Sequence, residues 1–261
     1  MEPSDPLASR ALATPKLNRT KFINDVATAF ELRMLIIRRF WYWFIMGTLV
    51  FPLATFYFAR GIAPDDSDRE LRSLVGALLF SAALMTANLL GQNMLQDRFL
   101  GRLKLIITTP TSKAAYALGT ISFLATLTGA SSGIVLGYGW LVGVDITLAW
   151  TIVPLLLGVM LTMSGLTLLV VSVSPNAEVG ALLTNFAGVL LTMVSPVFFT
   201  MDQAPMLLRM LGYVSPMRYA ADGLNKAMSG QTDIGVEFAV LAAFATAALA
   251  VGVWKLKWRE S

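Results

Sequence analysis

Uncharged polar side chains recur inside long apolar stretches of this sequence. Asn88 and Gln92 stand one helical turn apart, and Asn185, Thr192 and Ser195 form a second group further along. Amides and hydroxyls of this kind do no acid–base chemistry by themselves. They form hydrogen bonds, either to a molecule moving past the helix or to a neighbouring helix, where one contact is worth roughly 0.6–2 kcal/mol. All five are therefore candidates for the lining of a translocation path, and the same residues also fit interhelical packing. A different chemistry sits in Asp97–Pro110. There Leu103, Ile106 and Ile107 make an apolar ridge flanked by Asp97, Arg98, Arg102 and Lys104, and Pro110 closes the segment. Inserted into a groove on another protein, such a ridge would bury side chains at roughly 1.5–3 kcal/mol each when fully covered. Resting on lipid as an interfacial helix is the other reading of the same pattern.

The missing residue types narrow the choice. The chain has no histidine and no cysteine, which removes the commonest general base, the commonest metal ligand and all thiol chemistry. No G-x-x-x-x-G-K-[ST] loop is present to cradle phosphates, so the chain is not expected to hydrolyse ATP. Its apolar stretches also lack Asp, Glu, Lys and Arg, the side chains that build proton relays, ion pathways and voltage sensors. That disfavours an ion-coupled transporter, although backbone carbonyls and hydroxyls still bind Na⁺. Uphill movement of a solute would need work from another subunit.

The elements that must position these residues follow from solvent. Of 261 residues, 56% are hydrophobic and 14% are charged, against roughly 25% charged in a soluble domain. A span needs about 20 mostly apolar residues, and six stretches free of charge qualify: Phe40–Ala59, Leu74–Leu95, Ala114–Val142, Leu148–Val173, Val179–Met201 and Phe238–Trp254. The expected fold is an all-α integral membrane protein with six transmembrane helices. Trp41, Tyr42 and Trp43 open the first span at headgroup level, too far from the N-terminus for a cleavable signal peptide. With both termini inside, 14 of the 20 basic residues fall on the cytoplasmic side, seven of them on the arm up to Arg39. This bias predicts an N-in, C-in orientation. Residues 1–17, rich in proline and small polar residues, are expected to be a disordered cytoplasmic tail.

Two further regions read as amphipathic. Residues 18–39 place Phe22, Val26, Phe30, Met34 and Ile37 at helical spacing, as in a helix lying on the cytoplasmic face. Between the fifth and sixth spans, Pro205–Tyr213 and Met217–Met228 are broken by Ser215-Pro216. The longer piece reaches only about 18 Å, so a re-entrant hairpin on the outer side is expected, with its backbone covered by protein. Gly129, Gly133 and Gly137 repeat at four-residue spacing, a face suited to close helix approach.

Asp97-Arg98-Phe99-Leu100-Gly101-Arg102-Leu103-Lys104-Leu105-Ile106-Ile107-Thr108-Thr109-Pro110 resembles the first cytoplasmic loop of type-2 ABC exporter permeases. Ser195-Pro196-Val197-Phe198-Phe199, then Pro205, Leu208 and Arg209, then Ser215-Pro216-Met217-Arg218-Tyr219-Ala220-Ala221-Asp222-Gly223-Leu224 is similar to that family's region between the fifth and sixth spans. Arg102 departs from the Thr or Ser that often follows the glycine, and Asn225-Lys226 departs from a usual arginine.

The resemblance implies that residues 18–258 form an ABC exporter transmembrane domain. It implies a half-transporter in the cell membrane, paired with a second permease chain as a homodimer or heterodimer, and served by two cytoplasmic ABC ATPase subunits. ATP and Mg would be bound by those partners, with no cofactor in this chain. Asp97, Arg98, Gly101, Leu103, Ile106 and Pro110 would belong to the ATPase-coupling helix. The basic arm would contact membrane lipids, and nothing points to nucleic acid. Polar but uncharged spans suit a hydrophobic or amphipathic cargo, drug-like or lipid-like, with a lipid-linked glycan as the second choice. The competing functions are a secondary transporter or channel subunit not driven by ATP, and a structural membrane scaffold.

Overall fold

The computed structural model describes residues 19–39, 41–62, 67–100, 112–195, 197 and 205–255, and every regular element among them is helical. In chain order these are α1 (Arg19–Arg39), α2 (Trp41–Ile45), a π-helical turn (Met46–Val50), α3 (Phe51–Ile62), α4 (Ser67–Phe99), α5 (Lys113–Leu141), α6 (Ile152–Val173), α7 (Ala177–Val194), α8 (Met206–Val214), α9 (Pro216–Met228) and α10 (Gly235–Lys255). The tail expected to be disordered lies outside the described residues.

Four of these helices, α4, α5, α6 and α10, are long and apolar enough to cross a membrane. Of the other two expected spans, α7 is apolar but shorter, with its apolar window at Ala177–Met193. The stretch over residues 40–59 is interrupted, for a reason visible in the sequence. Pro52 has no N–H to give the carbonyl of Thr48 one turn earlier. The helix widens there, with the Phe51 N–H reaching Met46 O, and Ser131 Oγ of α5 donates to Thr48 O at 3.0 Å. A neighbouring helix thus repairs what proline leaves open, as apolar surroundings require.

Helix α4 is central and touches α3, α5, α6, α7 and α9. Its contact with α7 is antiparallel: Leu95 meets Gly180, Gly91 meets Thr184, and Ala87 meets Gly188. Helices α6 and α10 run parallel and in register. Gly158 meets Leu241, and seven residues on Gly165 meets Ala248, the spacing of a coiled-coil seam. A Cβ on Gly165 would stand 2.4 Å from the Ala248 carbonyl carbon, so only glycine allows the backbones this close.

The short pair α8–α9 matches the two apolar pieces around Ser215-Pro216. Ser215 Oγ accepts from the Met217 N–H, and Pro216 fills the first helical position, where a missing N–H costs nothing. Met217, Ala220, Ala221 and Leu224 bury one side of α9 in the core with Leu74, Leu78 and Leu155. By contrast Met206, Leu207, Met210 and Val214 of α8 are exposed.

The glycine stripe behaves differently from expectation. Among the described residues, no atom outside the local helix backbone lies within 4 Å of where a Cβ would sit on Gly129, Gly133 or Gly137. Helix α5 makes its close approaches on other sides, through Gly119 against α1 and Gly139 against Leu74. Gly129 and Gly133 instead line a groove of about 270 Å³ between α5 and α6, with Thr128, Ser132 and Met160.

Candidate functional site

At one end of the bundle, α1 lies across α5. A Cβ on Gly119 would come within 2.7 Å of Val26 O, so this glycine sets how closely the two helices approach. Ala29 is buried against α5, and Phe30 meets the Phe123 ring edge-on at 6.2 Å. Met34, expected on the buried stripe, is exposed, and Arg33 takes that face. The contact is narrow because α1 docks at a glycine, and Met34 falls beside it.

Arg33 is 5% exposed and Asp97 3%. The guanidinium donates to Asp97 Oδ2 at 2.6 Å and to Asn93 Oδ1 at 2.8 Å. The Tyr116 hydroxyl bonds to both members of the pair, accepting from Arg33 and donating to Asp97. Three helices therefore meet at one charge pair: α1 through Arg33, the end of α4 through Asn93 and Asp97, and the start of α5 through Tyr116. Burial of both charges is tolerable because hydrogen bonds supplement their attraction; deleting one partner of such a pair typically costs about 3–5 kcal/mol.

The next residue, Arg98, turns to a fourth helix. Its guanidinium donates to Val171 O at 2.5 Å and Ser174 O at 3.2 Å, at the C-terminus of α6. A cation there meets carbonyls with no intrahelical partner and the negative end of the helix dipole.

Asp97 and Arg98 are thus held against the chain itself, and the loop between α4 and α5 starts from that anchored point. Gly101, Leu103, Ile106 and Pro110 lie outside the described residues.

The path candidates separate into two groups. Thr192 and Ser195 are buried, and their hydroxyls return to their own helix at Gly188 O (2.9 Å) and Leu191 O (2.6 Å). Ser195 Oγ also contacts Ser215 Oγ at the start of α9. Asn88 and Asn185 are half-buried and Gln92 is exposed. Each follows a contact residue of the antiparallel α4–α7 pair: Asn88 after Ala87, Gln92 after Gly91, and Asn185 after Thr184. On an antiparallel pair, one step beyond the contact points to the same side of both helices. The three amides therefore share one side of the pair at similar depth, and exposed Gln96 extends the α4 row.

Arg33, Asn93 and Tyr116 were not among the sequence candidates. Arg33 did leave a signal, since it interrupts an apolar stripe at the spacing of Val26, Phe30 and Ile37. Asn93 stands one turn before Asp97 on the same helical face. Nothing in the local pattern marks Tyr116.

A second cluster of charge lies at the opposite end. Arg218, Asp222 and Lys226 follow one another by single turns along α9. Arg218 Nε lies 3.5 Å from Asp222 Oδ2, and its guanidinium covers the Tyr213 ring at 4.4 Å. Lys226 Nζ pairs with Glu237 Oε1 of α10 at 2.6 Å, a hydrogen bond that holds the ammonium above its usual range. Burial pushes the Asp222 carboxyl above its ordinary value; Arg218, Arg72 and Lys226 oppose this and Glu237 adds to it. Among the described residues, no group of acidic side chains is placed to hold a metal.

Residues 13–229 match the family model described as ABC-2 type transporter. No curated protein matches the chain.

The raised Asp222 carboxyl gives a signed prediction. A carboxyl whose pKa rises on folding contributes stability fully present below the unfolded value and lost as pH rises through the folded value. At neutral pH, ionised Asp222 works against the fold. Asp222→Asn should therefore raise the unfolding midpoint of the detergent-solubilised protein at neutral pH, with the gain fading towards about pH 4. A lowered midpoint at neutral pH would mean that the Arg218 pair outweighs the burial.

Proposed function

The chain belongs to the ABC-2 type transporter family, and on that premise we propose that it is the membrane-spanning permease subunit of an ATP-driven exporter. Six spans are completed by α2–α3 as the first and α7 as the fifth. At 18 residues, α7 is about 27 Å long, close to the hydrocarbon thickness of about 30 Å. The excess of Lys and Arg at the α1 end supports an orientation with both termini in the cytoplasm and α8–α9 on the outer side.

The observation that carries the cargo reading is the uncharged polar row. Asn88, Gln92 and Asn185 sit half-buried or exposed on one side of α4–α7, Asn88 with its Nδ2 donating to Leu84 O of its own helix at 3.1 Å, whereas Thr192 and Ser195 are buried within the chain. Amides on an otherwise apolar wall bind an amphipathic molecule better than an ion, which would need charge or a full set of oxygens. A drug-like or lipid-like compound fits that wall. Closing the other side of the path falls to a second permease chain, homologous or identical.

The work comes from two ABC ATPase subunits that bind ATP and Mg. Their docking site is the cytoplasmic end where α1 meets the end of α4 and the start of α5, with Leu103 and Ile106 of the intervening segment as the inserted ridge. The membrane is the cell membrane, crossed several times.

Two measurements test this reading. Inside-out vesicles carrying the chain and its ATPase should accumulate lipophilic fluorescent dyes when given ATP together with a protonophore. Accumulation driven by a proton gradient without ATP would instead make the chain a secondary transporter. In the same assay Asn88→Leu, Gln92→Leu and Asn185→Leu should change the relative rates for different dyes while the complex remains assembled. Unaltered selectivity in all three assembled variants would return these amides to a packing role.

A further inference from the structure

Asp97 and Arg98 are consecutive, yet they hold different parts of the molecule. Asp97 takes Arg33 of α1 and the Tyr116 hydroxyl of α5, while Arg98 takes the last carbonyls of α6. The residues that follow them form the loop on which the permease reading places the ATPase. Neither Arg33 nor Asp97 is available to touch a partner, since both are more than nine-tenths buried.

We propose that Asp97 and Arg98 form a two-way latch, with Arg33 as its positioning residue, through which α1 and the cytoplasmic ends of α4, α5 and α6 move as one body when the ATPase changes state. This rests on the permease reading above and says how its docking site transmits force.

The chemistry favours a latch over a loose contact. Arg33 uses separate nitrogens for Asp97 and Asn93, so the guanidinium plane is fixed to α4 at two points one helical turn apart. Tyr116 closes the third side, and Gly119, three residues on, brings α1 onto the same stretch of α5. Rotating α1 against α4 would strand a charge in a dry site, which makes the arrangement rigid. Arg98 extends it to α6, whose register with α10 then carries the displacement along two spans.

The chain contains no cysteine, so introduced cysteines are unique labelling sites. Spin labels at Thr28→Cys on α1 and Gln96→Cys on α4, both exposed positions, report whether the two helices move together. The measurement uses the complex with its ATPase, first nucleotide-free and then trapped with ATP and vanadate. In the otherwise unaltered chain the distance distribution should be narrow and the same in both states. Arg33→Met combined with Asp97→Asn removes both charges at similar volume, so no unpaired charge remains to unfold the protein. In that variant the distribution should differ between the states, and dye transported per ATP hydrolysed should fall by about three- to tenfold. Should the double variant fail to assemble, Tyr116→Phe is read in its place, with the same direction expected.

A distance that changes between states in the unaltered chain overturns the latch. So does an assembled latch variant with a single distance and normal transport per ATP, because a purely structural pair would behave that way. Failure of the unaltered chain to bind the ATPase at all would instead contradict the permease reading, and is seen before any distance is measured.

Discussion

Ionised groups are costly in hydrocarbon and irregular backbone there must be covered, and these two constraints arrange everything else in the chain. The long helices carry their charges at the ends, where they are drawn together. At one end a buried guanidinium and carboxylate join α1, α4 and α5, with Arg98 adding α6. At the other, Lys226 and Glu237 tie α9 to α10. Besides that pair, α1 is held by an apolar strip that meets α5 beside Gly119. With the pair in place, α1 and the long helices α4 and α5 share one fixed corner.

Between those ends the packing depends on small residues rather than charge. Glycines at α4–α7 and α6–α10 let backbones approach until side chains of one helix fill the space left by the other. Lipid tails are as apolar as leucine, so van der Waals contact of this kind replaces the hydrophobic drive of a soluble core. The side of α4–α7 that carries Asn88, Gln92 and Asn185 is left outside this packing. In the proposed permease this side is the wall that cargo passes.

Much of the architecture was legible because it follows from solvent. The apolar windows of α4, α5, α6 and α10 were apparent from their lack of charge, and the break at Ser215-Pro216 follows from proline's place at a helix start. The less legible features depend on the third dimension. The π-helical turn needs both Pro52 and a hydroxyl from Ser131, a residue far along the chain. Gly129, Gly133 and Gly137 have the spacing of a contact face, but spacing says nothing about whether a helix arrives to use it. Arg33 and Asp97 are 64 positions apart, and no local pattern links them. The sequence groups Asp97 with the coupling segment, and its carboxylate is turned inward to Arg33 and Tyr116.

In the proposed permease, work enters through the loop between α4 and α5. The most direct measurement replaces Leu103 and Ile106 together with aspartate and follows ATPase binding and transport in a permease that still inserts. A charged ridge cannot enter an apolar groove, so the ATPase should be released, or should hydrolyse ATP without moving cargo. Normal binding together with normal transport in that double variant would contradict the account.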